Sequence, residues 1–108
     1  METSGSRSSM NEANDATAVG PVLTPGPLAD AVIAVIRAAN SGVRVVDRGA
    51  YLRVLVPLRC CLDGARVEAI AQTSFRLPGD LEGIMPSFRG RMSISGDQVT
   101  WELAGSPP

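Results

Sequence analysis

The sequence predicts an α+β domain in which two βαββ-like halves form antiparallel sheets, packed with two or three short helices. Two stretches, 43–56 and 91–103, alternate apolar and polar residues with a period of two, which is typical of half-buried β-hairpins. Segments with helical periodicity come before them, at 27–39 and at 63–71. The chain has 108 residues, which is the size of one domain with one core.

The first 18 residues differ in composition from the rest of the chain. They are rich in Ser, Asn, Thr, Ala and Glu and have almost no bulky apolar side chain. Such a segment cannot bury enough surface to offset the entropy that it loses on ordering. We therefore predict a disordered N-terminal tail at residues 1–18 and a single folded domain at residues 19–105.

The first half begins with an extended run at 19–24, which Pro25-Gly26-Pro27 ends. Proline suits the first turn of a helix, so a helix is predicted from about Pro27 to Ala39. With about 3.6 residues per turn, this helix has one broad apolar face that suits packing on a core. The members of that face are Leu28, Ala31, Val32, Val35, Ile36 and Ala39.

The opposite face of this helix is predicted to hold Ile33 and Arg37, with Asn40 near the helix end. Interfaces are enriched in arginine, and an outward isoleucine has no role in the core. These three residues are therefore candidates for contact with a partner protein. Single exposed apolar residues are also ordinary on protein surfaces, and that interpretation stays open.

Gly42 provides the exit from the helix, and the first hairpin follows. Val43 and Val45 alternate before a turn at residues 47–50, and the alternation resumes after it until Pro57. Within the turn, Asp47 is expected to cap its own backbone, which gives Asp47 a structural role.

The second half is predicted to begin with a strand at 58–62, followed by a helix for which Asp63 is the N-cap. Val67, Ile70 and Ala71 recur at i, i+3 and i+4 along that helix and predict its buried face.

A break at 77–79 ends this helix region. One further helical turn and then an irregular, surface-facing loop are expected, because Gly83 and Pro86 interrupt the helical period. The last hairpin follows, with its turn at Gly96-Asp97.

Composition excludes several classes of function. The net charge is −1, from eleven acids and ten arginines, so no basic excess favours nucleic acid or an acidic membrane. The chain has no histidine, which removes histidine-based metal sites and Ser-His-Asp catalysis. An independent enzyme is the least favoured interpretation, and catalytic, cofactor-binding and metal-binding residues are predicted to be absent.

Cys60 and Cys61 are the only cysteines in the sequence. They are predicted to be free thiols in a buried strand, because unpaired cysteine is commonly buried. A strained vicinal disulfide, or a metal site shared with another chain, is the alternative. Free thiols favour a cytoplasmic location. The sequence shows neither a basic-then-apolar leader nor an apolar run of the ~20 residues that span a bilayer.

Three segments carry a resemblance to a known family. They are Val19-Gly20-Pro21-Val22, the pattern V-x-V-x-D-R-x-x-Y from Val43 to Tyr51, and the region 75–91 with Ser87-Phe88-Arg89-Gly90-Arg91 before a hairpin. In this order they resemble the effector (coupling) proteins of soluble multicomponent diiron monooxygenases. The chain has no long C-terminal extension, and its pattern is most similar to the effectors of alkene, isoprene and aromatic monooxygenases.

The resemblance implies a regulatory subunit that carries neither a metal nor an organic cofactor and is not itself an enzyme. Its partner would be the hydroxylase component, which holds the two irons. Docking would reshape the hydroxylase helices near the irons and promote O₂ activation, coupling of electrons to product, and substrate access. We expect a monomer when the chain is free, with no nucleic-acid or membrane partner.

The resemblance also implies contact residues, because in these effectors the segment before the last hairpin faces the hydroxylase. Here that segment supplies Ile84, Ser87, Phe88 and Arg89. Ile84 and Phe88 could instead be core anchors, since large apolar side chains favour burial. Tyr51 belongs to the signature pattern and could serve either the fold or the interface.

Two other classes of function remain as alternatives. A small regulatory α+β domain that binds a metabolite would have a preformed apolar pocket. A nucleic-acid binder would use the arginines, but aromatic residues for base stacking are scarce, with one Trp, one Tyr and two Phe.

Overall fold

The computed structural model describes residues 16–103. Seven strands and three helices lie wholly within this part of the chain. In chain order they are β1 (Ala18–Leu23), α1 (Pro27–Ala39), β2 (Arg44–Asp47), β3 (Leu52–Pro57), β4 (Arg59–Asp63), α2 (Gly64–Ala71), α3 (Gly79–Glu82), β5 (Ser87–Arg89), β6 (Arg91–Ser95) and β7 (Gln98–Glu102).

The strands form two sheets in which every pair is antiparallel. The first sheet has the order β2-β3-β1-β5, and the second has the order β4-β7-β6. This confirms the predicted α+β class with antiparallel sheets and short helices. The predicted single helical turn is α3, and residues 83–86 after it are irregular as expected. The predicted loop is wrong only at Ser87–Arg89, which is strand β5. Its backbone pairs with Gly20–Val22 of β1 and so extends the first sheet.

The predicted N-terminal tail covers residues 1–18, and residues 1–15 lie outside the described part of the chain. Residue 18 belongs to the first sheet, because Ala18 opens β1, is buried and pairs with Pro57. The first strand therefore begins one residue before the predicted start of the domain at residue 19.

Helix α1 begins with Pro27 and buries Ala29, Ala31, Val32, Val35 and Ile36, close to the predicted apolar face. Helix α2 begins after Asp63, whose Oδ1 accepts a hydrogen bond from the Ala65 amide at 2.9 Å, as its predicted capping role requires.

Ile70 differs from the prediction for α2, since its side chain is 54% exposed. Helix α2 has only eight residues, and its buried residues are Gly64 and Val67. Ile70 lies beyond that contact, where a hollow of about 140 Å³ separates it from Val35 of α1.

The core lies between the two sheets and beneath the helices. The first sheet contributes Val19, Leu23, Val54 and Val56 to this cluster. The second sheet contributes Cys60, Leu62, Val99 and Trp101, and the segments between strands add Phe75, Leu81 and Met85. Side chains of a strand alternate between its two faces, so the members from the first sheet all come from one face.

The chain passes from the first sheet to the second at Leu58 and again at Gly90. Leu58 has φ +68°, and its backbone binds residues near both ends of the domain. Its amide donates to Thr17 O at 3.0 Å, and its carbonyl accepts from Leu103 N at 3.1 Å. Gly90 has φ +102°, and a Cβ there would lie 2.6 Å from Glu102 O, so only glycine fits this crossing.

Candidate functional site

Three residues were predicted on the contact face of α1. One of them, Arg37, is exposed as expected, and the other two, Ile33 and Asn40, contact other parts of the domain. Ile33 is partly buried and packs against the core cluster, so the expectation that it points outward is wrong. Ile33 lies one turn from both Ala29 and Ile36, which are buried, and α1 packs against α2 as well as β4. The buried side of the helix is therefore broader than its sequence pattern indicates.

Asn40 uses its side chain to join α1 to β4. Its Oδ1 accepts from the Cys61 amide at 3.0 Å, and its Nδ2 donates to the Cys61 carbonyl at 2.9 Å. Nδ2 also donates to Ile36 O at 2.8 Å, one turn back in the helix. These bonds engage the amide group on both of its polar atoms, which gives Asn40 a role inside the domain.

Ile84 is held in the fold by its backbone and its side chain. Its carbonyl accepts from Thr24 N at 2.8 Å, and its amide donates to Leu81 O at 3.0 Å. The side chain is partly buried and packs against the core cluster, which matches the alternative of a core anchor.

The other three residues predicted in this segment belong to the edge strand β5. Ser87 is exposed, Phe88 is 41% exposed, and Arg89 is partly buried. Ser87 pairs with Val22, Phe88 with Pro21 and Arg89 with Gly20. Directly opposed residues share a face of a sheet, so Ser87 and Arg89 lie on the face away from the core cluster.

That second face of the first sheet is here called the outer face. One row across the four strands is Val46, Arg53, Val22 and Ser87, as the pairings of β2, β3, β1 and β5 show. The neighbouring row contains the pairs Arg44–Leu55 and Gly20–Arg89. In these rows Val22, Val46, Arg44, Arg53 and Arg89 are partly buried, and Leu55 is buried.

Tyr51 extends the outer face toward the hairpin turn. The Arg48 amide donates to Tyr51 O at 2.9 Å, which continues the β2–β3 ladder by one pair beyond Asp47 and Leu52. By strand alternation, Arg48 and Tyr51 fall on the same face as Val46 and Arg53. Tyr51 is 40% exposed.

Asp47 organises this turn as predicted. Its Oδ1 accepts from the Gly49 amide at 2.8 Å, and Gly49 has φ +80°. The signature pattern therefore combines a turn-forming aspartate with two residues, Arg48 and Tyr51, at the rim of the outer face.

The outer face carries one sign of charge in the described part of the chain. Alternation and register place four arginines on it, Arg44, Arg48, Arg53 and Arg89, and none of the acids among residues 16–103. Guanidinium groups bind carboxylates through paired hydrogen bonds, and partial burial strengthens such pairs. This arrangement suits recognition of an acidic, partly apolar surface.

Sequence reasoning identified Tyr51, Ser87 and Arg89 but missed Arg53 and Val22, which lie between them. The signal was present, because Arg53 occupies a position of the opposite phase to Leu52 and Val54 in the predicted hairpin. What the sequence could not supply was the pairing of β1 with β5, which brings residues 65 positions apart, Val22 and Ser87, into one row.

The cysteines are free, with Cys60 buried in the core and Cys61 partly buried. Burial, with a smaller contribution from the neighbouring Cys61, raises the pKa of the Cys60 thiol from 9.0 to about 12. Among residues 16–103, no three His, Cys, Asp or Glu side chains gather where they could hold a metal ion. No helix in that range is long and apolar enough to cross a membrane.

The described hollows are small or polar. One of about 260 Å³ between α1 and β4 includes Asp63, Arg66 and Gln98 in its lining, and one of about 450 Å³ beside α2 includes Glu68 and Thr73. The more apolar hollow beside Ile70 holds about 140 Å³, below the ~300 Å³ at which ligand pockets begin.

Three comparisons connect this fold with known proteins. A family model described as MmoB/DmpM matches residues 17–102. The chain is 43% identical, over 89 residues, to a protein of Xanthobacter autotrophicus (strain Py2) named as the effector subunit of an alkene monooxygenase system. That match covers 81% of this chain and 87% of the relative. The fold is also similar to a chain in a solved complex of phenol hydroxylase with its regulatory protein. The TM-score is 0.68 at 12% identity, and the match covers 79% of this chain and 95% of that one.

Proposed function

The chain belongs to the MmoB/DmpM family, and from this premise we propose that it is the effector subunit of a multicomponent diiron monooxygenase. Its partner is the hydroxylase component, and docking remodels the hydroxylase active site to promote O₂ activation, coupling and substrate access. It is a regulatory, non-catalytic component, as the relatives named effector and regulatory proteins are. We place it in the cytoplasm.

One observation carries this proposal. The 43% identity to the alkene monooxygenase effector extends over nearly the whole described domain, and it covers 87% of that protein. The family match at residues 17–102 has almost the same limits as the two sheets, which run from Ala18 to Glu102. The domain therefore matches most of the length of that effector.

The chemistry of the chain fits an action through binding. Without histidine, the chain cannot supply the Glu-x-x-His ligand sets of a diiron centre. An effector of this kind must bind one conformation of the hydroxylase more tightly than another, because only differential affinity shifts a conformational equilibrium.

The contact residues that we propose are the accessible members of the predicted set. Arg37 projects from α1, Tyr51 lies at the rim of the outer face, and β5 supplies Ser87, Phe88 and Arg89. Three other residues, Ile33, Asn40 and Ile84, pack or hydrogen-bond within the domain and hold these contact elements in place.

Reconstitution tests the function. The purified hydroxylase and its electron-transfer proteins are assayed with and without this chain, and epoxide or phenol formed per NADH consumed is measured. We expect both the rate and the yield per NADH to rise to a plateau near one effector per hydroxylase active site. No change at any ratio would refute the proposal.

A control separates the effector role from metabolite binding. The alternative of a small-molecule-binding domain predicts that the melting temperature rises with a metabolite when the hydroxylase is absent. The effector role predicts that the hydroxylase itself is the ligand, with saturable binding in a titration of the two purified proteins.

A further inference from the structure

We propose that residues 1–15 cover the outer face of the first sheet, at the end where Ala18 lies, and that their acidic side chains pair with arginines of this face. The described part of the chain begins directly after this segment, at residue 16. The inference concerns the free chain, so it stands apart from the proposed function.

The first argument comes from two side chains that are buried outside the core. Leu55 is 2% exposed and Ala18 is 4% exposed, yet neither belongs to the core cluster. Both lie on the outer face, since Leu55 is opposite Arg44 and Ala18 is opposite Pro57, two residues further along β3. A leucine on an uncovered face of a sheet would be in contact with water. A further part of the chain therefore lies over these two side chains.

The helices of the described part do not supply this cover. The side chains that α1, α2 and α3 bury belong to the core cluster, on the other face of the first sheet. At the covered end of the outer face, the described residues instead leave a hollow of about 250 Å³, lined by Ala18, Gly42, Arg44, Leu55 and Pro57. Since the burial is found in a single chain, the cover belongs to the same chain and comes from a terminal segment.

The second argument comes from the place where the N-terminal segment joins the domain. Residue 15 is followed by Ala16 and Thr17 and then by β1, whose first residue, Ala18, lies on the outer face. Thr17 O accepts from Leu58 N at 3.0 Å, which holds this junction against the end of β3. Fifteen residues reach about 50 Å when extended and about 22 Å as a helix, whereas four strands span about 14 Å. The segment is long enough to cross the face.

The third argument comes from charge. Residues 1–15 hold three acidic side chains and one basic side chain, which are Glu2, Glu12, Asp15 and Arg7. The outer face holds four arginines and none of the acids among residues 16–103. Arg44, at the end beside Ala18, is not without a partner. Partly buried guanidinium groups bind carboxylates strongly, so the segment and the face are complementary.

The segment also has apolar side chains for Leu55. Met10 and Ala13 are the apolar residues of the segment that lie nearest to β1 in sequence. The composition of the segment predicts that it cannot bury enough surface to fold alone. The outer face supplies the surface that it lacks.

Two other occupants fit this face less well. Residues 104–108 also lie outside the described part, but this segment has only five residues and no acidic side chain. A second copy of the chain would place arginines against arginines, because a two-fold interface buries the same patch on both subunits. Residues 1–15 have both the length and the charge that the face requires.

The cover leaves the proposed contact residues at the other end of the sheet accessible. Ala18 pairs with Pro57 at one end of the first sheet, whereas Tyr51 and Ser87 lie toward the other end. Both Tyr51 and Ser87 are exposed. The N-terminal segment therefore closes one end of the outer face and leaves the opposite end open to a partner.

The primary test uses the intact, isotope-labelled chain and nuclear Overhauser effects. The methyl protons of Leu55 and Ala18 should show cross-peaks to protons of residues 1–15. Cross-peaks confined to residues 16–103, or reaching only residues 104–108, would overturn the inference. In a mixture of labelled and unlabelled chains, Leu55 cross-peaks that arise only between copies would overturn it in favour of a dimer.

Two deletions test the contribution of the cover to stability. Removal of residues 1–15 should lower the melting temperature by about 4–8 °C, the shift typical of a lost interaction in a domain of this size. Removal of residues 104–108 is the control and should change the melting temperature by less than about 2 °C. Equal shifts for the two deletions would contradict the proposed cover.

A charge exchange tests the pairing in the full-length chain. Glu12→Arg/Asp15→Arg and Arg44→Glu/Arg53→Glu should each lower the melting temperature by about 4 °C or more. The combined variant should regain at least about half of the loss, because residues in contact are not additive. A combined variant that loses the full sum would show that these charges do not meet.

A matched exchange elsewhere separates contact from net charge. Glu82 and Asp97 are exposed, in α3 and in the last hairpin turn. Glu82→Arg/Asp97→Arg, combined with Arg44→Glu/Arg53→Glu, should regain nothing. Equal recovery in the two combinations would assign the effect to net charge and overturn the pairing. None of these measurements involves the hydroxylase, so their failure leaves the proposed function standing, and failure of reconstitution leaves the cover standing.

Discussion

The side-chain amide of Asn40 pairs with the backbone of Cys61 through two hydrogen bonds, one from each of its polar atoms. The Cys61 amide donates to Oδ1 at 3.0 Å, and Nδ2 donates to the Cys61 carbonyl at 2.9 Å. The side chain thus pairs with β4 as a neighbouring strand would, on the side of the strand that β7 does not occupy. Asn40 therefore caps the C-terminus of α1 and also hydrogen-bonds to the edge strand of the second sheet.

Replacement of this residue should therefore destabilise the domain. Asn40→Ala leaves the amide and carbonyl of a partly buried Cys61 without these partners. Each unsatisfied group costs about 1–3 kcal/mol, so we expect a loss of about 2–4 kcal/mol in the free energy of unfolding. Urea denaturation followed by the fluorescence of Trp101 measures it. Asn40→Asp keeps the acceptor for the Cys61 amide but lacks the donor for its carbonyl, and its loss should be smaller. A loss below about 0.5 kcal/mol for the alanine variant would contradict the role.

The buried thiol of Cys60 predicts a loss of stability at alkaline pH. Its pKa is about 12 in the folded chain, because burial disfavours the thiolate, against 9.0 for the ordinary thiol. Below pH 9 both states keep the proton, so the stabilisation is fully present. Between about pH 9 and pH 12 the unfolded state loses the proton first. Stability should fall there by about 1.4 kcal/mol per pH unit from this group.

The comparison of variants isolates this group from other titrations at high pH. Cys60→Ala should reduce the alkaline slope of the free energy of unfolding, whereas Cys61→Ala should largely keep it. In the native protein, Cys61 should also react with a thiol reagent well before Cys60. Equal reactivity of the two thiols would show that Cys60 is not sealed in the core.

Local patterns predicted most of the elements, because each depends on neighbouring residues. Helix α1 has the predicted limits, Asp63 caps α2, and both hairpins have their turns where expected. Strand β5 was missed because its three residues carry no period of their own. It is a strand only because β1 offers a free edge, which is a contact between distant parts of the chain.

The candidate site could be predicted in its parts but not in its assembly. Tyr51, Ser87 and Arg89 came from the resemblance, and the structure places them on one face with Arg53. Asn40 is the opposite case, because the sequence suggested a contact with a partner and the structure shows hydrogen bonds within the domain. A polar residue at a helix end looks available for a partner in the sequence, and only the tertiary position of β4 reveals that it binds Cys61.

The chain crosses between the sheets for the second time at Gly90, and we predict that only glycine is tolerated at this position. Gly90 has φ +102°, and an added Cβ would lie 2.6 Å from Glu102 O and 2.8 Å from Val19 Cγ1. Neither a backbone carbonyl in β7 nor a core valine can yield cheaply. Gly90→Ala should lower the free energy of unfolding by about 2–4 kcal/mol, seen as a lower melting temperature.

Gly79 provides the matched control for this substitution. It opens α3 with no heavy atom close to an added Cβ, and its φ is not in the left-handed region. Gly79→Ala should change the melting temperature little or raise it slightly, since alanine is the better helix former. Equal effects at the two positions would refute the argument from crowding.

The two phenylalanines distinguish a contact residue from a core residue. Phe88 is 41% exposed on the edge strand β5, whereas Phe75 is 5% exposed and belongs to the core cluster. Phe88→Ala should lower the free energy of unfolding by about 1 kcal/mol or less. It should weaken hydroxylase binding by about 10-fold or more, because an aromatic side chain that becomes buried in the complex contributes strongly to an interface. Phe75→Ala should cost about 3–5 kcal/mol of stability. At a temperature where both variants are folded, the Phe75 variant should bind with nearly wild-type affinity. If Phe88→Ala instead lost stability like Phe75→Ala and bound normally, Phe88 would be a core anchor, and β5 would contact the partner through Ser87 and Arg89 alone.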